Sequence, residues 1–310
     1  MIVMFHYVTD ESNTSADCFR PRYYCSRDKL ISLTKRFLRK NKKFVTYREY
    51  SEIISVDPSA ENKLICFTFD DATIDHFEVV APTLEDLKVT ASFYSITKVL
   101  DLGDSCTLPI HQYQIASSLI QCEGTFAEHL SRLIELEFGI QKINLWRKKF
   151  SGWAGLDDQN VLLVKRILEV ELSESQSQKL IHTVLDSMSS SISSNFERIV
   201  QKFYCGKDEL KEMYNAGFEV GSHSHTHRWL GQMPDDDAVS DIHHSIDILR
   251  KIDVLAQKWT VCYPHGNWSV GLLEKLKISS DCIGGLVMGD LAPSPELEYL
   301  TSRRLDISAL

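Results

Sequence analysis

Leu64-Ile65-Cys66-Phe67-Thr68-Phe69-Asp70-Asp71 is an almost unbroken apolar run that ends on two adjacent carboxylates. Aromatic and β-branched residues suit the pleated surface of a strand. A run with no polar alternation suits a strand buried on both faces, as in a parallel sheet covered by helices. Six other runs have the same character: Ile2–Val8, Val89–Ile96, Phe218–Ser222, Lys258–Tyr263, Cys282–Val287 and Tyr299–Ile307. They alternate with helical patterns such as Arg27–Asn41 and Asp208–Ala216. Strands alternating with helices imply an α/β fold with a parallel sheet, and seven runs suit a closed or nearly closed barrel.

The spacing breaks between Ile96 and Phe218. Most of this stretch carries helical patterns: IHQYQIASSLI, FAEHLSRLIELEFG, DDQNVLLVKRILEVEL and QKLIHTVLDSM. The Ser-rich MSSSISSN at 188–195 reads as a flexible connector. The expected organisation is therefore a discontinuous barrel, 1–100 and 205–310, around a mostly helical insertion at 101–204. At 310 residues, and roughly 150 residues per domain, the length also admits two separate domains. The need for distant motifs to meet at one site favours the insertion.

Lys and Arg number 34 against 43 Asp and Glu, a net charge of −9. That balance argues against general affinity for nucleic acid or an anionic membrane, and a small molecule or sugar fits better. No apolar stretch is long enough to span a bilayer. The opening MIVMFHYVTD lacks a basic region and a cleavage-like site, so it reads as a strand rather than a signal peptide. The eight cysteines, at 18, 25, 66, 106, 122, 205, 262 and 282, form no CxxC pair. Scattered cysteines in apolar runs point to buried thiols and a reducing cytoplasm. The basic run 35–43 reads as a solvated helix face.

Three segments carry chemistry. Thr68-Phe69-Asp70-Asp71 ends a strand. Neighbouring strand side chains point to opposite faces, so both carboxylates reach one pocket only where the strand breaks. The bland alternative is that one Asp caps a helix starting near Thr73. The second segment, Ser222-His223-Ser224-His225-Thr226-His227, has three histidines in five residues, more than packing explains, with a chance solvated cluster as the bland alternative. Neutral imidazoles are common ligands of zinc and similar metals. The third, Cys262-Tyr263-Pro264-His265-Gly266-Asn267-Trp268, is a strand end meeting a turn whose backbone N–H groups could face an oxyanion. Taken alone it is an ordinary turn.

In this order the three segments resemble the NodB-type polysaccharide deacetylases, carbohydrate esterase family 4. The likeness extends over the barrel and not the insertion. It implies a distorted (β/α)7 barrel, the NodB homology domain, that removes acetyl groups from N-acetylated sugars with a divalent metal, expected to be Zn²⁺. By the resemblance Asp70 is the catalytic base, and Asp71, His223 and His227 are the metal ligands. His265 contributes an oxyanion-binding N–H and Pro264 helps shape the sugar groove; Tyr263 and Trp268, as aromatics beside the motifs, suit stacking on a sugar ring as substrate-binding residues. Trp229 lies nearby as a further aromatic, although such residues are more often core.

The chain also departs from the family pattern. Ala72 stands where a glycine usually follows the Asp pair. Cys262 replaces the arginine that orients the base, and Arg303 or Arg304 on the last strand could substitute. No histidine follows His265 to act as the acid of the usual C-terminal motif. Leu108-Pro109-Ile110-His111 fits that letter pattern but falls in the insertion. His6, in Met4-Phe5-His6-Tyr7-Val8, is similar to the N-terminal histidine assigned as the acid in members acting on poly-N-acetylglucosamine and related surface polysaccharides. Its competing reading is a packed core histidine.

The resulting expectation is a cytoplasmic metal-dependent N-deacetylase acting on an N-acetylated sugar or glycan precursor in bacterial surface-polysaccharide (O-antigen or capsule) biosynthesis. Two alternatives remain. One is an amidohydrolase of the same fold acting on a non-sugar amide. The other is a non-catalytic binding protein on a decayed barrel.

Overall fold

The computed structural model describes residues 1–11, 19, 21, 24–102, 107–120, 122–152, 157–289 and 294–310. Cys18 and Cys106 lie outside them, and the other six cysteines are free thiols. Two compact units divide the chain: Met1–Asn13, Tyr23–Asp104 and Tyr204–Leu310 in one, Thr14–Arg22 and Ser105–Phe203 in the other.

The first unit is a parallel barrel. Its strands are β1 (Ile2–Phe5), β2 (Leu64–Phe69), β3 (Ser92–Ser95), β4 (Glu219–Ser222), β5 (Trp259–Cys262), β6 (Cys282–Val287), β7 (Ser302–Arg303) and β8 (Leu305–Asp306). Pairing runs β7-β6-β5-β4-β3-β2-β1-β8, with Lys43–Phe44 added beside β2. Each of the seven runs anticipated from the sequence contains an observed strand, and the last contains two. Arg304 alone separates β7, which pairs β6, from β8, which pairs β1. One short stretch thus joins both edges of the sheet, and Arg304 sits at the seam.

Alternation along the strands sorts the side chains. Val3, Phe5, Ile65, Phe67, Phe69, Phe93 and Val220 point outward into a core shared with Leu30, Leu33 and Phe37 of the helix Arg27–Arg39. The rings of Phe5, Phe69 and Phe93 stack across three adjacent strands at 4.7 and 5.0 Å. Burying each such side chain is worth roughly 1.5–3 kcal/mol. Ile2, Leu64, Cys66, Tyr94, Cys262 and Leu286 form a separate inner cluster with Tyr47 and Tyr50. These tyrosines belong to the helix Tyr47–Val56, which starts with a Thr46/Glu49 capping box. Tyr47 is tied to the barrel wall through its N–H to Ser92 Oγ and its hydroxyl to the Gly285 carbonyl. Gly221 is glycine for space, because a Cβ there would lie 2.5 Å from the Tyr94 ring.

The second unit is helical, with helices Pro109–Ile120, Glu123–Phe138, Ile140–Phe150, Gln159–Arg166, Glu174–Asp186 and Ser190–Val200. Tyr113, Phe126, Leu130, Ile134, Trp146 and Ile181 are buried in it. Lys165 bridges Glu123 and Asp157, each at 2.7 Å. The Ser-rich stretch expected to be a connector is instead largely helix: Phe196 and Val200, one turn apart, bury one side of Ser190–Val200. Among the described residues no helix is long and apolar enough to cross a membrane.

Candidate active site

All eight barrel strands run parallel, so their C-terminal ends share one mouth, where loops gather functional groups. His6 follows β1, the Asp pair follows β2, the histidine loop follows β4, and the Tyr263–Asn267 turn follows β5. Five non-glycine residues there hold positive φ: Asp71 at 74°, Ala72 at 49°, Ser224 at 63°, His227 at 56° and His265 at 58°. Left-handed backbone costs such residues about 1–2 kcal/mol each and persists where surrounding structure over-determines it. At the Asp pair it solves the parity problem. Asp70 leaves β2 facing into the barrel, and the left-handed turn at Asp71 swings the next carboxylate to the same side.

Asp70 is 2% exposed and clamped by Arg304, itself 3% exposed. The guanidinium donates Nη1–H to Oδ1 at 2.6 Å and Nη2–H to Oδ2 at 2.7 Å. The Cys262 thiol also donates to Oδ1, at 3.4 Å. Burial pushes that thiol well up, which keeps it protonated and able to donate. Burial would also push the Asp70 carboxyl up. The Arg304 charge and the guanidinium hydrogen bonds outweigh burial and hold it well below the usual carboxylate range. Each carboxylate oxygen accepts two hydrogen bonds: Oδ1 takes both of its partners here, while Oδ2 keeps one lone pair. His6 Nε2 lies 3.9 Å from Oδ2.

Between the two arginines considered from sequence, the structure places Arg304 on Asp70 and leaves Arg303 exposed on β7. His6 is not a packed core histidine, since its side chain is 43% exposed. Its backbone is held from below, with Asp75 Oδ2 accepting Val8 N–H at 2.6 Å and His76 Nε2 meeting the His6 carbonyl at 2.5 Å.

Asp71 Oδ1 lies 3.4 Å from His223 Nε2 and 3.3 Å from His227 Nε2. These atoms form a set that could hold a metal ion. The donor chemistry fits one. His223 Nδ1–H donates to the Cys262 carbonyl at 2.8 Å, so the neutral ring carries its lone pair on Nε2. Burial pushes this imidazole down to about 4. Nε2 and Asp71 Oδ1 therefore meet as two acceptors, an arrangement that a cation between them satisfies. One carboxylate and two imidazoles make a set that leaves positions for water and substrate. Asp70, His223 and Cys262 also lie close enough to share an ion. A cation there would face the Arg304 guanidinium, which disfavours it.

The histidine loop is braced by Asp241, on the helix Asp235–Lys251. Its Oδ1 accepts the N–H groups of His225 and Thr226, and its Oδ2 accepts the Thr226 hydroxyl. His225 turns away from the metal set, with Nδ1 at 3.1 Å from Thr97 Oγ1. The β5 turn is stitched to the same loop. His265 stacks on Trp229 at 4.4 Å and 8° and sits 4.7 Å from the His227 ring, while Asn267 Oδ1 accepts Gly231 N–H. Pro264 is buried at the start of this turn and Trp268 is half-buried behind it.

Tyr263 corrects a sequence expectation. Cys262 faces inward to Asp70, so alternation turns Tyr263 outward into a core with Trp259, Val261 and Leu272. Fully buried there, it cannot line a sugar groove. His111, discounted from the sequence, is buried against Phe203 in the helical unit. Asp241, Asp75, His76 and the Trp229–His265 stack were not anticipated. Asp241 left a signal: Ala238, Asp241, Ile242 and Ser245 share one buried helix face, and a carboxylate on such a face must find donors.

A polysaccharide deacetylase family model matches residues 180–278. Three solved structures share the fold across nearly the whole chain. The chain has the NodB-type polysaccharide deacetylase fold. The Streptococcus pyogenes deacetylase PplD in complex with acetate matches at TM-score 0.56 and 14% identity, covering 99% of this chain and 91% of its own. IcaB from Ammonifex degensii matches at TM-score 0.52 and 14% identity, with 99% and 91% covered. A de-N-acetylase from Aggregatibacter actinomycetemcomitans matches at TM-score 0.53 and 13% identity, with 98% and 94% covered. No curated protein sequence matches the chain. In this barrel the TFDD, HSHTH and YPHG segments lie at the ends of three strands around one mouth.

Proposed function

We propose that the chain is a metal-dependent N-deacetylase that hydrolyses the acetamide of an N-acetylated sugar in the synthesis of a bacterial surface polysaccharide. The observation that carries this reading is the adjacency of two differently equipped carboxylates: Asp70 clamped by Arg304, and Asp71 set against His223 and His227. The fold relatives support it, since PplD was solved with acetate and another relative is a de-N-acetylase.

Asp71, His223 and His227 would hold the ion, with Zn²⁺ favoured by the nitrogen-rich donor set. Such an ion supplies Lewis acidity towards the amide carbonyl and a more acidic water. Asp70 receives the proton of the attacking water on its Oδ2 lone pair. The Arg304 clamp makes Asp70 a weaker base but fixes it as a carboxylate in one orientation, which a base in a fixed geometry needs. The backbone N–H of His265 faces the developing oxyanion. His6, half-exposed at the mouth beside Asp70, protonates the departing amine. Cys262 in place of the family arginine motivates the decayed-barrel reading. Arg304 reaches the same carboxylate from the barrel seam, which favours an intact base.

The test is acetate release by zinc-loaded protein from a panel of N-acetylated sugars, including N-acetylglucosamine oligomers and nucleotide- and lipid-linked forms. Release from at least one sugar is expected, abolished by chelator and restored by zinc. Release only from non-sugar N-acyl amides would move the assignment to an amidohydrolase, and metal binding with no release from any amide would contradict catalysis.

A further inference from the structure

The histidine loop has an outward face that the deacetylase reading leaves unused. His225, His244 and Asp101 each offer a ligand atom, all within 4.8 Å of one another. The His225 and His244 rings meet at 4.3 Å and 79°, and His244 Nε2 lies 3.6 Å from Asp101 Oδ2. We propose that these three residues form a second site for a divalent cation of the zinc class, separate from the Asp71 set.

Three elements converge on this cluster, and each is fixed independently of any ion. Asp241 pins the backbone of His225 and Thr226. Three residues further along the same helix, His244 emerges on the neighbouring turn. Asp101 comes from the helix Lys98–Leu102. That helix starts where Thr97 and Lys98 donate their N–H groups to the carbonyls of Ser224 and His225. The loop backbone is thus bonded to both elements that bring the other ligands. A site held by rigid neighbours pays little ordering cost on binding.

The His244–Asp101 ion pair is one contact of the set, and the second imidazole, whose Nδ1 lies 3.1 Å from Thr97 Oγ1, is brought against it by the pinned loop. Two ring nitrogens and one carboxylate oxygen match the donor preference of zinc-class ions and leave positions for water. The side chains of His244 and Asp101 are 50% and 47% exposed, so an ion enters from solvent without opening the barrel. His223 and His227 face the inner set and His225 the outer one, so a single loop carries ligands for both.

The test is zinc content after equilibrium dialysis of metal-free protein, for wild type, His244→Ala, Asp101→Asn, His223→Ala/His227→Ala, and the triple variant that adds His244→Ala to the last. His244 and Asp101 are exposed, and thermal melts verify folding. Wild type is expected to hold one zinc equivalent more than His244→Ala or Asp101→Asn. The His223→Ala/His227→Ala chain is expected to keep one equivalent that the triple variant loses. Equal zinc content in wild type, His244→Ala and Asp101→Asn throughout the titration would overturn the proposal. Loss of all zinc in His223→Ala/His227→Ala would overturn it as well. Absence of deacetylase activity would leave these comparisons intact, so the two readings fail separately.

Discussion

At the N-terminal end of the barrel, Glu219 is buried with its Oε1 accepting the Thr260 hydroxyl and its Oε2 accepting Ser92 Oγ and Arg48 N–H. At the opposite end, Asp70 is also buried but faces a guanidinium, a thiol and a half-exposed histidine. Both carboxylates point into the same barrel. Glu219 is surrounded by neutral donors on fixed strands and a helix N-terminus, and among the described residues no metal-competent set includes it. Asp70 has Asp71, His223 and His227 beside it, and its turn is held in left-handed backbone. Burial alone therefore does not separate the two carboxylates. The metal-competent donor set beside Asp70 does.

The comparison can be broken in several ways. The largest effect is expected from His223→Ala/His227→Ala, which removes the nitrogen ligands of the inner set. Acetate release should fall to background while a circular dichroism spectrum stays native, and near wild-type release would break the metal assignment. Next is Arg304→Met, which frees Asp70 from its clamp and leaves a buried carboxylate without its ion-pair partner. Truncating one partner of such a pair costs about 3–5 kcal/mol of stability. A thermal melt reads this, and acetate release should drop alongside it. An unchanged melt would mean that the clamp does not form in solution.

Glu219→Gln sharpens the contrast from the other end. Its amide nitrogen would face the Thr260 hydroxyl and its remaining oxygen would accept from Ser92 and Arg48 as a neutral group, costing about 1–2 kcal/mol of the charge-assisted bonding. Denaturant unfolding should register that loss, while kcat per folded molecule stays unchanged. A selective loss of kcat would give Glu219 a catalytic part and dissolve the distinction between the two ends. The smallest effect is expected from Ala72→Gly, which relieves the positive φ at the turn. Stability should rise by no more than about 1 kcal/mol, because relief of left-handed strain is offset by glycine's greater unfolded-state entropy. Clear destabilisation would mean that Ala72 is not strained there.

The barrel was legible because its strands are apolar on both faces, so Leu64–Phe69 and its counterparts stand out without alternation. The Asp pair and the histidine loop were legible by residue type and order. What depended on strand parity was not. Whether Arg303 or Arg304 enters the barrel turns on the break between β7 and β8, and a shift of one residue exchanges the faces. Tyr263 was misplaced for the same reason. Contacts between segments distant in sequence, such as Asp241 under the histidine loop or Trp229 on His265, arise only when the chain closes the barrel. The helical unit contrasts with this: its periodic apolar positions announced helices, but Phe196 and Val200 outweighed the serines that had suggested a connector.

The most direct measurement pairs metal content with acetate release in Asp70→Asn. The amide keeps the shape of the side chain and leaves Asp71, His223 and His227 untouched, but it cannot hold a proton at neutral pH. Zinc content at the wild-type level with acetate release reduced by about 10²–10⁴-fold, the usual contribution of a general base, is the expected result. Wild-type turnover in a zinc-loaded Asp70→Asn chain would contradict the account.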